Sequence, residues 1–134
     1  MSELSVSDRL EIQELLARYC HCIDRGRWER FPELFTEDCR LDMSQVMGLY
    51  EGRAGIQTFV DTLKPLGIFM RHLVTNVVIE GDGERAHVES YVVAVTGSEA
   101  SPSRTTGFYD DEVVKQNGRW LLRRRTLALD VPKA

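Results

Sequence analysis

The sequence predicts a segregated α+β fold, a curved antiparallel sheet with N-terminal helices enclosing an apolar ligand cavity, and three observations carry that expectation. Apolar residues recur at helical spacing through residues 5–65. The rest of the chain consists of four stretches rich in Val, Thr, Tyr and Phe. Short segments with hairpin chemistry join those stretches, so strands follow helices instead of alternating with them.

In chain order, Ser5 or Ser7 can cap a first helix whose opening turn holds Asp8 and Glu11, acids placed where the helix dipole favours them. Ile12, Leu15, Leu16, Tyr19 and Ile23 then form one stripe, and the helix runs to about Arg25 before Gly26 stops it. Trp28, Phe31, Leu34 and Phe35 predict a second, shorter helix in which Pro32 falls within the first turn. A short strand is expected near Cys39 to Asp42, and Gly55, Ile56, Phe59, Val60 and Leu63 predict a further helix ending at Pro65. Strands follow at 70–80, 85–96, 104–115 and 119–129. Gly81-Asp82-Gly83 and Asn117-Gly118 are turn signals because Gly and Asn accept positive φ.

Composition narrows the function. The chain has 134 residues, 43% of them hydrophobic, which suits one domain over 1–134. Its 17 Lys and Arg against 21 Asp and Glu give a net charge of −4, so no basic face is available for nucleic acid. No run approaches the roughly 18 apolar residues of a membrane span, and the acidic, polar N-terminus does not read as a secretory signal, so a cytoplasmic setting is expected. Cys20, Cys22 and Cys39 are odd in number and suit a reducing compartment. On a helix, Cys20 and Cys22 project roughly 200° apart and cannot clamp one ion, so no metal or cofactor is expected.

Three side chains could carry chemistry. Tyr19 lies on the buried stripe, either as a core tyrosine or as a phenol donor, and Asp24 closes the same helix, either as a turn residue or as a carboxylate at the pocket rim. His72 heads a strand, and alternation puts Val74 and Asn76 on its face. That histidine is either a satisfied core residue or a proton carrier. Arg123, Arg124 and Arg125 fall in an apolar strand, so at least one arginine must turn inward, unless the run is a surface ladder of ion pairs. Phosphate loops, nucleophile elbows and metal clusters do not appear in the sequence.

The ordered set Tyr19-x4-Asp24-x3-Trp28, LFTED, Tyr50-x-Gly52, His72-x3-Asn76 and GFYDDEVVKQNGRW resembles the SnoaL-like branch of the nuclear transport factor 2-like superfamily over nearly the whole chain. The resemblance implies a cone-shaped barrel around a ligand cavity, often in a homodimer. Its dehydratase branch includes scytalone dehydratase, bile-acid dehydratase and hexachlorocyclohexane dehydrochlorinase, in which an aspartate ending the first helix pairs with a histidine opening a strand. Asp24 and His72 match those positions, and Tyr19 matches the first-helix tyrosine of the bile-acid enzyme. The second histidine of scytalone dehydratase falls near Thr105 or Thr106, and Ile23 replaces a tyrosine, so scytalone is not the expected substrate.

These matches imply a lyase that dehydrates a small hydrophobic cyclic compound, such as a polyketide, steroid-like or terpenoid molecule. Asp24, His72 and Tyr19 are its expected catalytic residues, and Tyr50, Asn76, Arg125 and Trp28 its expected substrate contacts. Two alternatives stay open. One is an isomerase like ketosteroid isomerase with Asp24 or Asp42 as carboxylate base, and the other is a non-catalytic binding or subunit domain.

Overall fold

The computed structural model describes residues 3–98 and 100–130. Helix α1 spans Val6–Asp24. Ser5 caps it through a reciprocal box, its hydroxyl accepting from the Asp8 N–H while the Asp8 carboxylate accepts from the Ser5 N–H, an arrangement worth about 1 kcal/mol. Ile12, Leu15, Leu16, Tyr19 and Ile23 are buried along its inner face as the periodicity predicts. Asp8 also accepts from Trp120 Nε1 at 3.0 Å and Lys115 Nζ at 3.1 Å, which pins the start of α1 to the far end of the sheet. The Trp120 bond, joined by those from Ser5 and Lys115, holds the Asp8 carboxyl well below the usual carboxylate range.

Beyond Gly26, whose φ of +67° only glycine adopts freely, the expected second helix shrinks to a 3₁₀ turn over Phe31–Leu34. Phe35 already belongs to strand β1, Phe35–Met43, which is longer than predicted; Phe35 and Thr36 are both buried, and inward and outward positions alternate only from Asp38 onward. Strand β2 (Gly48–Glu51) and helix α2 (Gly52–Leu63) follow, with Ile56, Phe59, Val60 and Leu63 buried. The last four strands are β3 (Phe69–Gly81), β4 (Arg85–Ser98), β5 (Ser101–Gln116) and β6 (Arg119–Leu129). Each overlaps its predicted range, and both hairpin turns fall where expected, with Asn117 at φ 53° and Gly118 at φ 77°. Of the GSEASPS segment that separates the predicted strands, Gly97, Ser98 and Ser101 to Ser103 belong to β4 and β5, and Glu99 lies outside the described residues.

The strands form one six-stranded sheet in the order β2-β1-β6-β5-β4-β3. β1 pairs antiparallel with β2, and β3 to β6 pair antiparallel in chain order, whereas β1 joins β6 in parallel, since no hairpin links these two and their relative direction is unconstrained by a turn. The sheet is curved and remains open, as the α+β expectation allows. β2 and β3 remain as edges, and the concave face between them is filled by α1 against β3 and β6 and by α2 against β1 and β2.

Bulges in β3 and β6 reset the alternation there. In β3 the register shifts between Thr75 and Val78, where Asn76 takes a φ of 55°; Met70, His72 and Val74 face inward before it, Val77 and Ile79 after it. In β6 the extra residue is Arg123, so Arg123 and Arg124 both reach the surface and Arg125 turns fully inward. Arg123 pairs there with Asp38 at 3.4 Å and Arg124 with Asp110 at 3.5 Å.

Candidate active site

A cavity of about 260 Å³ opens between α1, α2 and the inner face of the sheet. Ile23, Phe59, Leu63, Met43, Met47 and Met70 supply much of its apolar wall, and the methionines give that wall an adaptable surface. Polar groups are few: Tyr19, His72, Tyr109 and three threonines, Thr96, Thr105 and Thr106. Few polar groups in an apolar cleft is the usual composition of a small-molecule site.

Asp24 and His72 meet at the edge of this cavity. The helix end delivers the carboxylate and the strand start delivers the imidazole, with Nδ1 2.5 Å from Asp24 Oδ1. The second carboxylate oxygen accepts from the His72 backbone N–H at 2.7 Å. Both oxygens of Asp24 are thus committed to one residue, and its side chain is only 4% exposed. This double contact fixes the ring's position and leaves Nε2 as the nitrogen without a carboxylate. His72 lines the cavity, whereas Asp24 stands behind it.

Tyr19 is fully buried, lines the cavity, and packs edge-on against Phe35 and Tyr109 with ring centroids 6.3 and 5.9 Å away. Its hydroxyl makes no hydrogen bond among the described residues. Burial pushes the phenol up to about 12, with the positive charge of Arg125 pulling the other way, so it remains a donor at any physiological pH.

Arg125 is inward but does not line the cavity. Its guanidinium forks onto Asp111, Nε to Oδ1 and Nη2 to Oδ2 both at 2.8 Å, and lies 3.7 Å from the Tyr109 ring centroid and 4.3 Å from that of Tyr19. Burial opposes its charge, but Asp111 outweighs that cost and raises the guanidinium above its ordinary range. This cation sits beneath two cavity-lining phenols. It supports the site without touching its contents.

Three further expected contacts are also displaced. Asn76 occupies the β3 bulge and faces solvent, because the extra residue reverses the parity that predicted it beside His72. Trp28 packs against Phe31 at 6.5 Å, and Tyr50 packs edge-on against Phe59 at 5.3 Å. Both are half-buried, and neither lines the cavity. Asp42, the other carboxylate considered, caps the turn after β1 by accepting from Ser44 N–H at 3.0 Å, and lies outside the cavity. Tyr109 and Asp111 carry no motif of their own in the sequence, but alternation through Gly107, Tyr109, Asp111 and Val113 puts both on the inner face.

The sequence matches the family described as SnoaL-like domain over residues 4–126. The chain belongs to that family. Among its relatives, the anthranilate 1,2-dioxygenase small subunit of Burkholderia cepacia is 31% identical over 122 residues, covering 78% of this chain and 76% of the relative. A Mycobacterium tuberculosis structure of unknown function superposes with a TM-score of 0.84 at 30% identity, over 92% of this chain and 72% of that one. A candidate scytalone dehydratase from Novosphingobium aromaticivorans shares the fold with a TM-score of 0.84 at 24% identity, over 94% of this chain and 86% of that one. The fold of this SnoaL-like domain is the expected mixed α+β arrangement, helices packed on a curved, unclosed six-stranded sheet. No described helix is long and apolar enough to cross a membrane. Among the described residues, no group of three or more His, Cys, Asp or Glu could hold a metal ion.

Proposed function

We propose that this SnoaL-like domain is a lyase that dehydrates a small hydrophobic cyclic substrate, with His72 as base, Asp24 as its positioning residue and Tyr19 as hydrogen-bond donor. The observation that carries it is the double hold of Asp24 on His72, which leaves Nε2 as the imidazole acceptor in an apolar cavity. Nε2 takes a proton from a ring carbon, and the C–H electron pair forms the new double bond. The C–O bond pair leaves with the hydroxyl oxygen, which takes the proton now held on His72 Nε2 and departs as water, returning the imidazole to its neutral form. Where the substrate carries a carbonyl beside that carbon, Tyr19 donates to the developing oxyanion. No cofactor is required. A carboxylate base fits less well, because Asp24 has both oxygens engaged by His72 and Asp42 lies outside the cavity.

The reading is tested by exchange. A panel of one- to three-ring ketones in deuterated buffer should include compounds whose α-protons exchange with solvent faster with the protein than without it, and His72→Ala should remove that acceleration. No accelerated exchange across the panel would discard the base and leave a ligand-binding or subunit domain, the reading that the dioxygenase small subunit favours.

The three cysteines are free and buried, which suits the reducing cytoplasm proposed as its compartment. The outer sheet face exposes Leu73, Val78, Tyr91 and Phe108 together, a patch proposed to be covered in a homodimer. Tyr91→Glu should then convert the dimer to monomer in light scattering. A wild-type chain that scatters as monomer at micromolar concentration would reject the dimer.

A further inference from the structure

The inner face of the sheet is arranged in rows, and one row runs across the cavity from the proposed base. Cross-strand register sets His72 of β3 beside Ala94 of β4, and Ala94 beside Thr105 of β5. All three line the cavity. Two strand spacings of about 4.8 Å put the outer Cα atoms about 10 Å apart. Between them stands only a methyl group, while the neighbouring rows carry Thr96 and Val92 at the equivalent position. The row is therefore a shallow trough with imidazole at one end and a hydroxyl at the other.

Strand parity says which threonine faces the trough. Gly107, Tyr109 and Asp111 are buried on the inner face, and Thr105 shares their parity. Thr106 belongs to the other face and gives its hydroxyl to Asp130 at 3.0 Å. A hydroxyl both donates and accepts, so Thr105 can receive either a carbonyl or an alcohol.

We infer that Thr105 is a specificity-determining residue, which selects rings that lie over Ala94 and carry an oxygen on the side opposite the carbon facing His72. The substrate class narrows to apolar rings oxygenated at both ends. Which end reacts rests on the function proposed above, whereas the preference for the second oxygen is a property of binding alone.

Two probes separate these claims: α-tetralone, and α-tetralone bearing a hydroxyl para to the carbonyl, titrated by ligand-observed NMR at about pH 6, where the phenol is neutral. The wild type should bind the hydroxylated probe about 3–10-fold more tightly, the size of one hydrogen bond. Thr105→Val, which keeps the side-chain shape, should bring that ratio close to unity, and Thr105→Ser should preserve it. Ala94→Leu should weaken both probes by more than about 10-fold by filling the trough. His72→Ala should lose proton exchange yet keep the ratio. A ratio that survives Thr105→Val, a ratio lost in His72→Ala or Tyr19→Phe instead, or a wild type that binds neither probe or shows no preference overturns the inference. A ratio that collapses in Thr105→Val without any exchange in the wild type leaves Thr105 in place and removes the proposed base.

Discussion

Replacing His72 with alanine is expected to lower turnover by about 10²–10⁴-fold, the range spanned by a positioned general base. The loss should fall on the rate constant more than on substrate affinity, because the imidazole acts on the proton in flight while the apolar wall holds the ring. Asp24→Asn should be of similar severity. An amide at that position can accept from the backbone N–H but can also present its NH₂ to Nδ1, which moves the ring proton to the nitrogen that must stay bare. Tyr19→Phe should cost less, since it removes one donor and leaves the base intact. Steady-state kinetics on any ketone found by exchange measures all three. Near-normal turnover in both His72→Ala and Asp24→Asn would exclude the mechanism.

Asp111→Ala is expected to destabilise the fold by about 3–5 kcal/mol, the cost of leaving a buried charge without its partner. Arg125 is fully buried, and among the described residues its guanidinium ion pair is with Asp111. The rings of Tyr19 and Tyr109 cannot replace a carboxylate, so the cation must be desolvated alone or pull the strand apart. Replacing both members with apolar residues of similar volume should recover most of the loss. Urea unfolding of the single and double variants measures this. A single variant within about 1 kcal/mol of wild type would show that water reaches the pair.

The helix stripe and the hairpins were legible because each rests on local chemistry, helical spacing from Ile12 to Ile23 and positive φ at Asn117 and Gly118. Asp24 and His72 were legible only in combination. Each alone suits an ordinary structural role, and the resemblance gave them a common one that their contact allows. Strand parity explains the displacement of Asn76. A bulge adds one residue without leaving a composition signal, so Asn76 moved out of the His72 row, while the bulge at Arg123 decided which arginine turned inward. Even so, inward did not mean exposed to the cavity, because Asp111 holds Arg125 beneath the phenols. Trp28 and Tyr50 show the limit of residue type as a guide, since both aromatics pack against Phe31 and Phe59 and neither lines the cavity. The parallel pairing of β1 with β6 spans most of the chain, and nothing local encodes it.

In the proposed mechanism Asp24 holds His72 with Nδ1 protonated and Nε2 bare toward the cavity. Long-range ¹H–¹⁵N correlation of the imidazole in the wild type and in Asp24→Asn reads this directly at neutral pH. A pyridine-like Nε2 and a protonated Nδ1 in the wild type, with Nε2 shifting when α-tetralone is added, is the expected result. A protonated Nε2 with a bare Nδ1, or a spectrum unchanged by Asp24→Asn, would contradict it.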